Sequence, residues 1–76
     1  YNELIITRIR TMVGIDLEEV NNVFGKEYQQ YLLTQAKKYI SKGLLCIKEN
    51  HLKVTKDGKF LSDGIASDLF RVDNFI

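Results

Sequence analysis

The sequence predicts a mostly helical α+β domain of 76 residues. Three observations carry this prediction. Before residue 42, apolar residues recur every three or four positions, which is the spacing of one helical face. Residues 42–58 then have the pattern of a helix end, two short strands and a tight turn. Helical spacing returns from residue 60. Three helices, a short β-hairpin and a C-terminal helix in this order predict a winged-helix-like domain.

The first predicted helix begins at Asn2 or Glu3 and ends at Gly14, which can adopt the left-handed conformation of a helix end. The apolar positions that share its inner face are Leu4, Ile5, Ile9 and Met12.

The second and third predicted helices are separated by Gly25. Asp16 is the expected N-cap of the second helix. The third helix is predicted from Lys26 to Lys42, with Gly43 as its left-handed end. The predicted inner residues are Leu17, Val20 and Phe24 of the second helix and Tyr28, Leu32, Leu33, Ala36, Tyr39 and Ile40 of the third.

A hairpin and a closing helix follow. The outgoing strand is predicted through Leu45 and Ile47 to Glu49, and the turn at Asn50 and His51. Leu52 and Val54 form the returning strand, and Thr55 is the expected N-cap of the fourth helix. The apolar positions of that helix are Phe60, Leu61, Ile65 and Leu69.

The whole chain, residues 1–76, is expected to form one domain and to be a fragment of a longer protein. No apolar run reaches the roughly 20 residues that a membrane-spanning helix needs. The single cysteine excludes an internal disulfide and is compatible with the cytosol.

Few residues could support catalysis. Cys46 lies mid-strand without a basic partner, which favours a structural role. His51 is the only histidine, and we interpret it as an exposed turn residue. No second histidine or cysteine has metal-ligand spacing, and no glycine pattern cradles a phosphate. We therefore predict no catalytic, cofactor-binding or metal-binding residue in this chain.

Charge is unevenly distributed along the chain. Residues 37–59 hold seven lysines and two acidic residues, a net charge of +5, although the whole chain carries only +1. In a winged helix, this segment is one location for DNA contacts. The third helix also offers side chains suited to base edges, although it lacks arginine, and the predicted wing is short. These side chains are Gln29, Gln30, Thr34, Gln35, Lys37 and Lys38. Two interpretations of the basic segment therefore remain open: contacts with DNA in a winged helix, or a surface whose lysines only keep the domain soluble.

Several motifs occur in a recognisable order. Ile9-Arg10 and Gly14-Ile15 lie in the opening segment, residues 2–17, and the later motifs are Phe24-Gly25, Lys42-Gly43-Leu44-Leu45, Leu52-Lys53-Val54-Thr55-Lys56-Asp57-Gly58 and Leu61-Ser62-Asp63-Gly64-Ile65. In order and spacing they resemble the C-terminal domain of the oxygen-independent coproporphyrinogen III oxidase family, which includes the radical-SAM haem chaperones. The family usually has Leu-Arg where this chain has Ile9-Arg10.

The resemblance implies a cytoplasmic parent enzyme whose chemistry lies upstream. Family members bind a four-iron four-sulfur cluster through a CxxxCxxC motif in a radical S-adenosylmethionine barrel. This chain, with Cys46 alone, would supply neither cluster ligands nor S-adenosylmethionine contacts. It would pack on the barrel near the substrate end, where the substrate is a porphyrinogen in an oxidase or haem in a chaperone. The sequence does not distinguish an oxidase from a chaperone.

The resemblance also leaves two structural alternatives open. Arg10 could pair with a carboxylate of this domain or reach the barrel. The apolar tail, residues 70–76, could fold back on its own core or dock against a larger domain.

Overall fold

Three helices, a β-hairpin and a fourth helix follow one another in the computed structural model, which describes residues 1–71. This confirms the predicted α+β class and the winged-helix-like order of elements. A two-residue strand between the first two helices was not predicted. The elements are α1 (Asn2–Arg8), β1 (Ile15–Asp16), α2 (Leu17–Phe24), α3 (Lys26–Ser41), β2 (Leu45–Lys48), β3 (His51–Val54), a 3₁₀ turn (Lys59–Leu61) and α4 (Ser62–Leu69).

The hydrophobic core is built from every helix and from all three strands of the described chain. The buried residues are Ile5, Ile9, Ile15, Leu17, Val20, Leu32, Ala36, Leu45, Leu52, Ile65, Ala66 and Leu69. The spacing of these residues in α2, α3 and α4 is the helical period read from the sequence. None of the described helices is both long enough and apolar enough to cross a bilayer.

The sheet has the order β1-β3-β2 and is antiparallel throughout. Ile15 of β1 pairs with Leu52 of β3, which also faces Ile47 of β2. The short β1 is therefore an edge strand of the sheet and leads directly into α2, which begins at the next residue.

The hairpin turn lies one residue earlier than predicted. Glu49 and Asn50 both have positive φ, 52° and 62°, as a two-residue turn with the right strand twist requires. His51 is the first residue of β3 and pairs with Lys48, so its prediction as a turn residue was wrong.

The first helix is shorter than predicted. It ends at Arg8 with Ile9 as its C-cap, so Met12 lies in the following loop, and its prediction as an inner helix residue was wrong. Thr11 Oγ1 donates to the Arg8 carbonyl (2.7 Å) and accepts from Gly14 N (3.0 Å), which turns the chain. Gly14 has a φ of +79°, but it leads into β1 rather than ending a helix.

The end of α3 confirms the prediction to within one residue. Gly43 has a φ of +74°, and its N–H donates to the Ile40 carbonyl (3.0 Å). Leu44 N donates to the Tyr39 carbonyl (2.9 Å), which completes a Schellman motif.

Thr55 does not cap the fourth helix, contrary to prediction. Its Oγ1 accepts from Gly58 N (3.2 Å) and donates to the Gly43 carbonyl (2.6 Å), so it stabilises a turn. A 3₁₀ turn follows, and α4 begins only at Ser62. Phe60 and Leu61 lie in this turn and are exposed, so their prediction as inner helix residues was wrong. The apolar spacing in the sequence begins before the helix itself begins.

The two ends of the described chain meet at an aromatic cluster. The Tyr1 ring lies 5.9 Å from that of Phe24 and 5.1 Å from that of Tyr28, measured between centroids. Asn2 Nδ2 donates to the Arg71 carbonyl (3.0 Å), and Arg71 N donates to Asn2 Oδ1 (2.8 Å). Arg71 Cζ lies 4.6 Å from the Tyr28 ring centroid.

Phe70 packs against the core, so the tail folds back at least this far. The remaining apolar residues of the predicted tail, Val72, Phe75 and Ile76, lie outside the described residues.

Candidate docking surface

A cleft of about 520 Å³ opens between the loop after α1 and the segment that runs from β3 to α4. Ile9, Met12 and Val54 give it apolar walls. The loop brings residues 9–12 to the cleft because α1 stops early, and the Thr55 turn brings residues 55–59 to its other side.

Two large apolar side chains of the segments that border this cleft are almost fully exposed. Met12, which lines the cleft, is 94% exposed, and Phe60, which follows the lining residue Lys59, is 96% exposed. Their neighbours Val13 and Leu61 are more than half exposed. Large apolar side chains with this degree of exposure are typical of a surface that another protein domain covers. We name residues 10–13 and 53–61 together the cleft face.

Basic side chains line the same cleft. They are Arg10, Lys53, Lys56 and Lys59. Arg10 Nη2 lies 2.5 Å from Asp63 Oδ1, so this arginine pairs with a carboxylate of its own domain. Both partners are exposed, and such a pair contributes little to stability. Within residues 1–71, no carboxylate lies within ion-pair distance of the three lysines.

A second depression, lined by Arg8, Asp16, Glu19 and His51 among others, has a structural explanation. Asp16 caps α2 by accepting from Glu18 N (2.9 Å) and Glu19 N (3.3 Å), as predicted. Arg8 Nη2 lies 3.6 Å from Glu19 Oε2. His51 Nε2 lies 3.9 Å from Asp16 Oδ2, and its Nδ1 lies 2.8 Å from the Glu49 carbonyl oxygen. These side chains therefore make their ion pairs and hydrogen bonds within the domain.

Cys46 is half-buried in β2, where the sequence placed it. In the part of the chain that the structure describes, no group of three or more His, Cys, Asp and Glu side chains is arranged to hold a metal ion.

The polar face of α3 is partly used inside the domain. Gln29 Nε2 donates to the Leu17 carbonyl (3.0 Å), so this amide group is used in a contact between α3 and α2. Lys38 Nζ lies 3.4 Å from Asp68 Oδ2. Gln30, Thr34 and Lys37 remain exposed.

The lysines of the cleft face are evident from the sequence, whereas the exposure of its apolar side chains is not. The helical spacing predicts Met12 and Phe60 as inner residues because it extends across the loop after α1 and the 3₁₀ turn before α4. The local signal that could have separated them is the pair of threonines, Thr11 and Thr55, which hydrogen-bond the backbone three residues away.

Comparison with known proteins gives one match. The family described as the HemN C-terminal domain matches residues 1–61, which run from α1 to the end of the 3₁₀ turn. The match includes all of the cleft face. No curated protein and no solved structure matches the chain.

Proposed function

The chain belongs to the HemN C-terminal domain family, and from this premise we propose that it is the accessory domain of an oxygen-independent coproporphyrinogen III oxidase-like protein of the radical-SAM type. In this role the cleft face packs on the catalytic barrel of the same chain, near its substrate end. The observation that carries the proposal is the near-complete exposure of Met12, which lines the cleft, and of Phe60, which follows the lining residue Lys59.

The chemistry belongs to the upstream barrel in this proposal. The barrel would hold the four-iron four-sulfur cluster and S-adenosylmethionine, which together supply radical chemistry. The parent would be cytoplasmic and act in haem biosynthesis or haem trafficking, with a porphyrinogen or haem as its ligand. A domain docked over the substrate end would exclude water from it and shape its boundary.

Replacing the apolar groups of the cleft face tests this role. In the intact protein, Met12→Ser combined with Phe60→Ser should weaken docking, because both side chains lose their apolar contacts with the barrel. Hydrogen–deuterium exchange of residues 9–14 and 53–62 measures docking directly. We expect these residues to exchange slowly in the intact unmodified protein and faster in the intact double variant.

Val23→Ser is the matched control, since Val23 is an exposed apolar residue of α2 outside the cleft face. Exchange at the cleft face should be unchanged in this variant. Equally fast exchange of the cleft face in the unmodified protein would contradict docking, as would an upstream sequence without a CxxxCxxC motif.

Duplex DNA binding is the second candidate function, favoured by the net charge of +5 in residues 37–59. It requires binding that weakens steeply as salt is added, because bound counterions are released from the phosphates. Negligible binding at low salt would eliminate it. The internal hydrogen bond of Gln29 and the ion pair of Lys38 count against it.

A further inference from the structure

Three lysines converge on the cleft from three different segments. Lys53 comes from β3, Lys56 from the turn after Thr55, and Lys59 from the start of the 3₁₀ turn. Lys53 is half-buried and its stem lies against Gly14, where an added Cβ would be 2.8 Å from Lys53 Cγ. The fold therefore places the first part of this side chain beside the cleft.

These lysines differ from the paired basic residues of the domain. Arg8, Arg10, Lys38 and Arg71 each have a carboxylate within 4 Å, at 3.6, 2.5, 3.4 and 2.6 Å. Among the described residues, none of the cleft lysines has such a partner. Positive charges gathered at one cleft repel one another, and a partner with carboxylates would relieve this repulsion.

The cleft face thus combines an apolar part with positive charge. Met12 supplies the apolar part, together with the walls at Ile9 and Val54, and the lysines lie around it. Protein interfaces have this anatomy, with an apolar centre and a polar rim.

We propose that the surface covering the cleft face is acidic: it presents Asp or Glu carboxylates to Lys53, Lys56 and Lys59 around an apolar patch that receives Met12. The inference rests on the proposed function, because it takes the catalytic domain of the same chain as the occupant. Carboxylates are the polypeptide groups that complement ammonium groups, and electrostatic matching of this kind fixes the register of docking.

Zero-length carbodiimide cross-linking of the intact protein tests this proposal, because it joins an amine to a carboxylate only when the two are in contact. Mass spectrometry should find Lys53, Lys56 or Lys59 joined to Asp or Glu residues of the upstream domain. Yields should fall severalfold at high salt, which screens exposed charges. Lys26, Lys37 and Lys48 lie outside the cleft and are the internal controls.

A charge-neutralised variant gives an independent readout. Changing Lys53, Lys56 and Lys59 to Gln should speed exchange of residues 9–14 in the intact protein roughly tenfold, the effect of losing several rim ion pairs. The matched variant Lys26→Gln, Lys37→Gln, Lys48→Gln should leave that exchange within about twofold of the unmodified protein, because its charges are not at the contact.

The outcomes separate this inference from the function on which it rests. Protection of the cleft face without lysine cross-links to the upstream domain, and without an effect of the triple variant, would overturn the acidic partner and leave docking intact. Absence of protection in the unmodified protein would overturn both. Cross-links only to Asp57 or Asp63 of the same domain would also overturn the acidic partner.

Discussion

Gly58 lies directly against the carbonyl group of Leu44, where a side chain has no room. The Leu44 oxygen also accepts a hydrogen bond from Thr55 N (3.0 Å), so it cannot move away freely. Gly58→Ala should therefore lower the free energy of unfolding by about 1–3 kcal/mol, the usual cost of overpacking. Urea unfolding followed by circular dichroism measures this change.

Gly64 is the matched control for Gly58. It lies within α4, and no atom beyond the adjacent residues and the backbone of its own helix lies within 4 Å of an added Cβ. Gly64→Ala should raise the free energy of unfolding by about 0.5–1 kcal/mol, because alanine loses less backbone entropy in a helix. Equal effects of the two substitutions would show that the contact at Leu44 does not matter.

Single residues were the least predictable part of the fold. Met12 and Phe60 continue the apolar spacing of their neighbours, and only the hydrogen bonds of Thr11 and Thr55 show that the helix is absent there. The sequence predicts the turn at Asn50 and His51, whereas Glu49 takes a turn position with a φ of 52°, a conformation that glutamate rarely adopts. In each case the local backbone conformation, and not the apolar spacing, decided where the residue lies.

The helix α2 depends on its cap. Asp16→Ala removes the side chain that accepts from Glu18 N and Glu19 N, and should lower the free energy of unfolding by about 0.5–2 kcal/mol. Asp16→Asn keeps an acceptor oxygen and should retain most of the stability. Chemical denaturation compares the two with Asp57→Ala, which changes an exposed turn residue. A loss with Asp57→Ala as large as that with Asp16→Ala would contradict the role of the cap.

Elements with local signals were predictable from the sequence. Asp16 begins α2, Gly25 separates α2 from α3, and Gly43 ends α3, since each acts on backbone groups a few residues away. The strand β1 has only two residues and exists because Ile15 pairs with Leu52, far along the chain. No periodicity can show so short a strand.

At the scale of the whole molecule, Tyr1 connects the beginning of the chain to α4. Its hydroxyl donates to the Leu69 carbonyl (2.9 Å) across 68 positions. Burial, and next the neighbouring Tyr31, raise the pKa of the Tyr1 phenol above its ordinary value of 10.0. The neutral phenol is therefore favoured by folding.

This shift predicts a loss of stability in alkali. Below about pH 10, Tyr1 is neutral in both states and its full contribution is present. Above that pH the unfolded residue ionises while the folded one does not, so the free energy of unfolding falls as pH rises toward the folded pKa. Urea unfolding between about pH 8 and about pH 11 measures this slope.

Tyr1→Phe is the control for the alkaline effect. It removes the hydrogen bond to Leu69 and should cost about 0.5–1.5 kcal/mol at neutral pH. Its stability should then fall less steeply in alkali than that of the unmodified protein. Identical slopes would assign the alkaline loss to other groups.

The sequence predicted only part of the candidate site. The lysines could be counted, because charge is a property of composition alone. Their convergence on one cleft required the Thr55 turn and the early end of α1, which together bring residues 53–59 opposite residues 9–12.

The reciprocal hydrogen bonds between Asn2 and Arg71 also bear on the order of folding. They join positions 69 apart, and closing a flexible loop of that length from the unfolded chain costs roughly 4 kcal/mol in entropy. Forming the helices and the hairpin costs much less entropy, because their contacts join residues close together in the sequence. We therefore expect the two ends to join only after the core has assembled, as the last step of folding and the first to open.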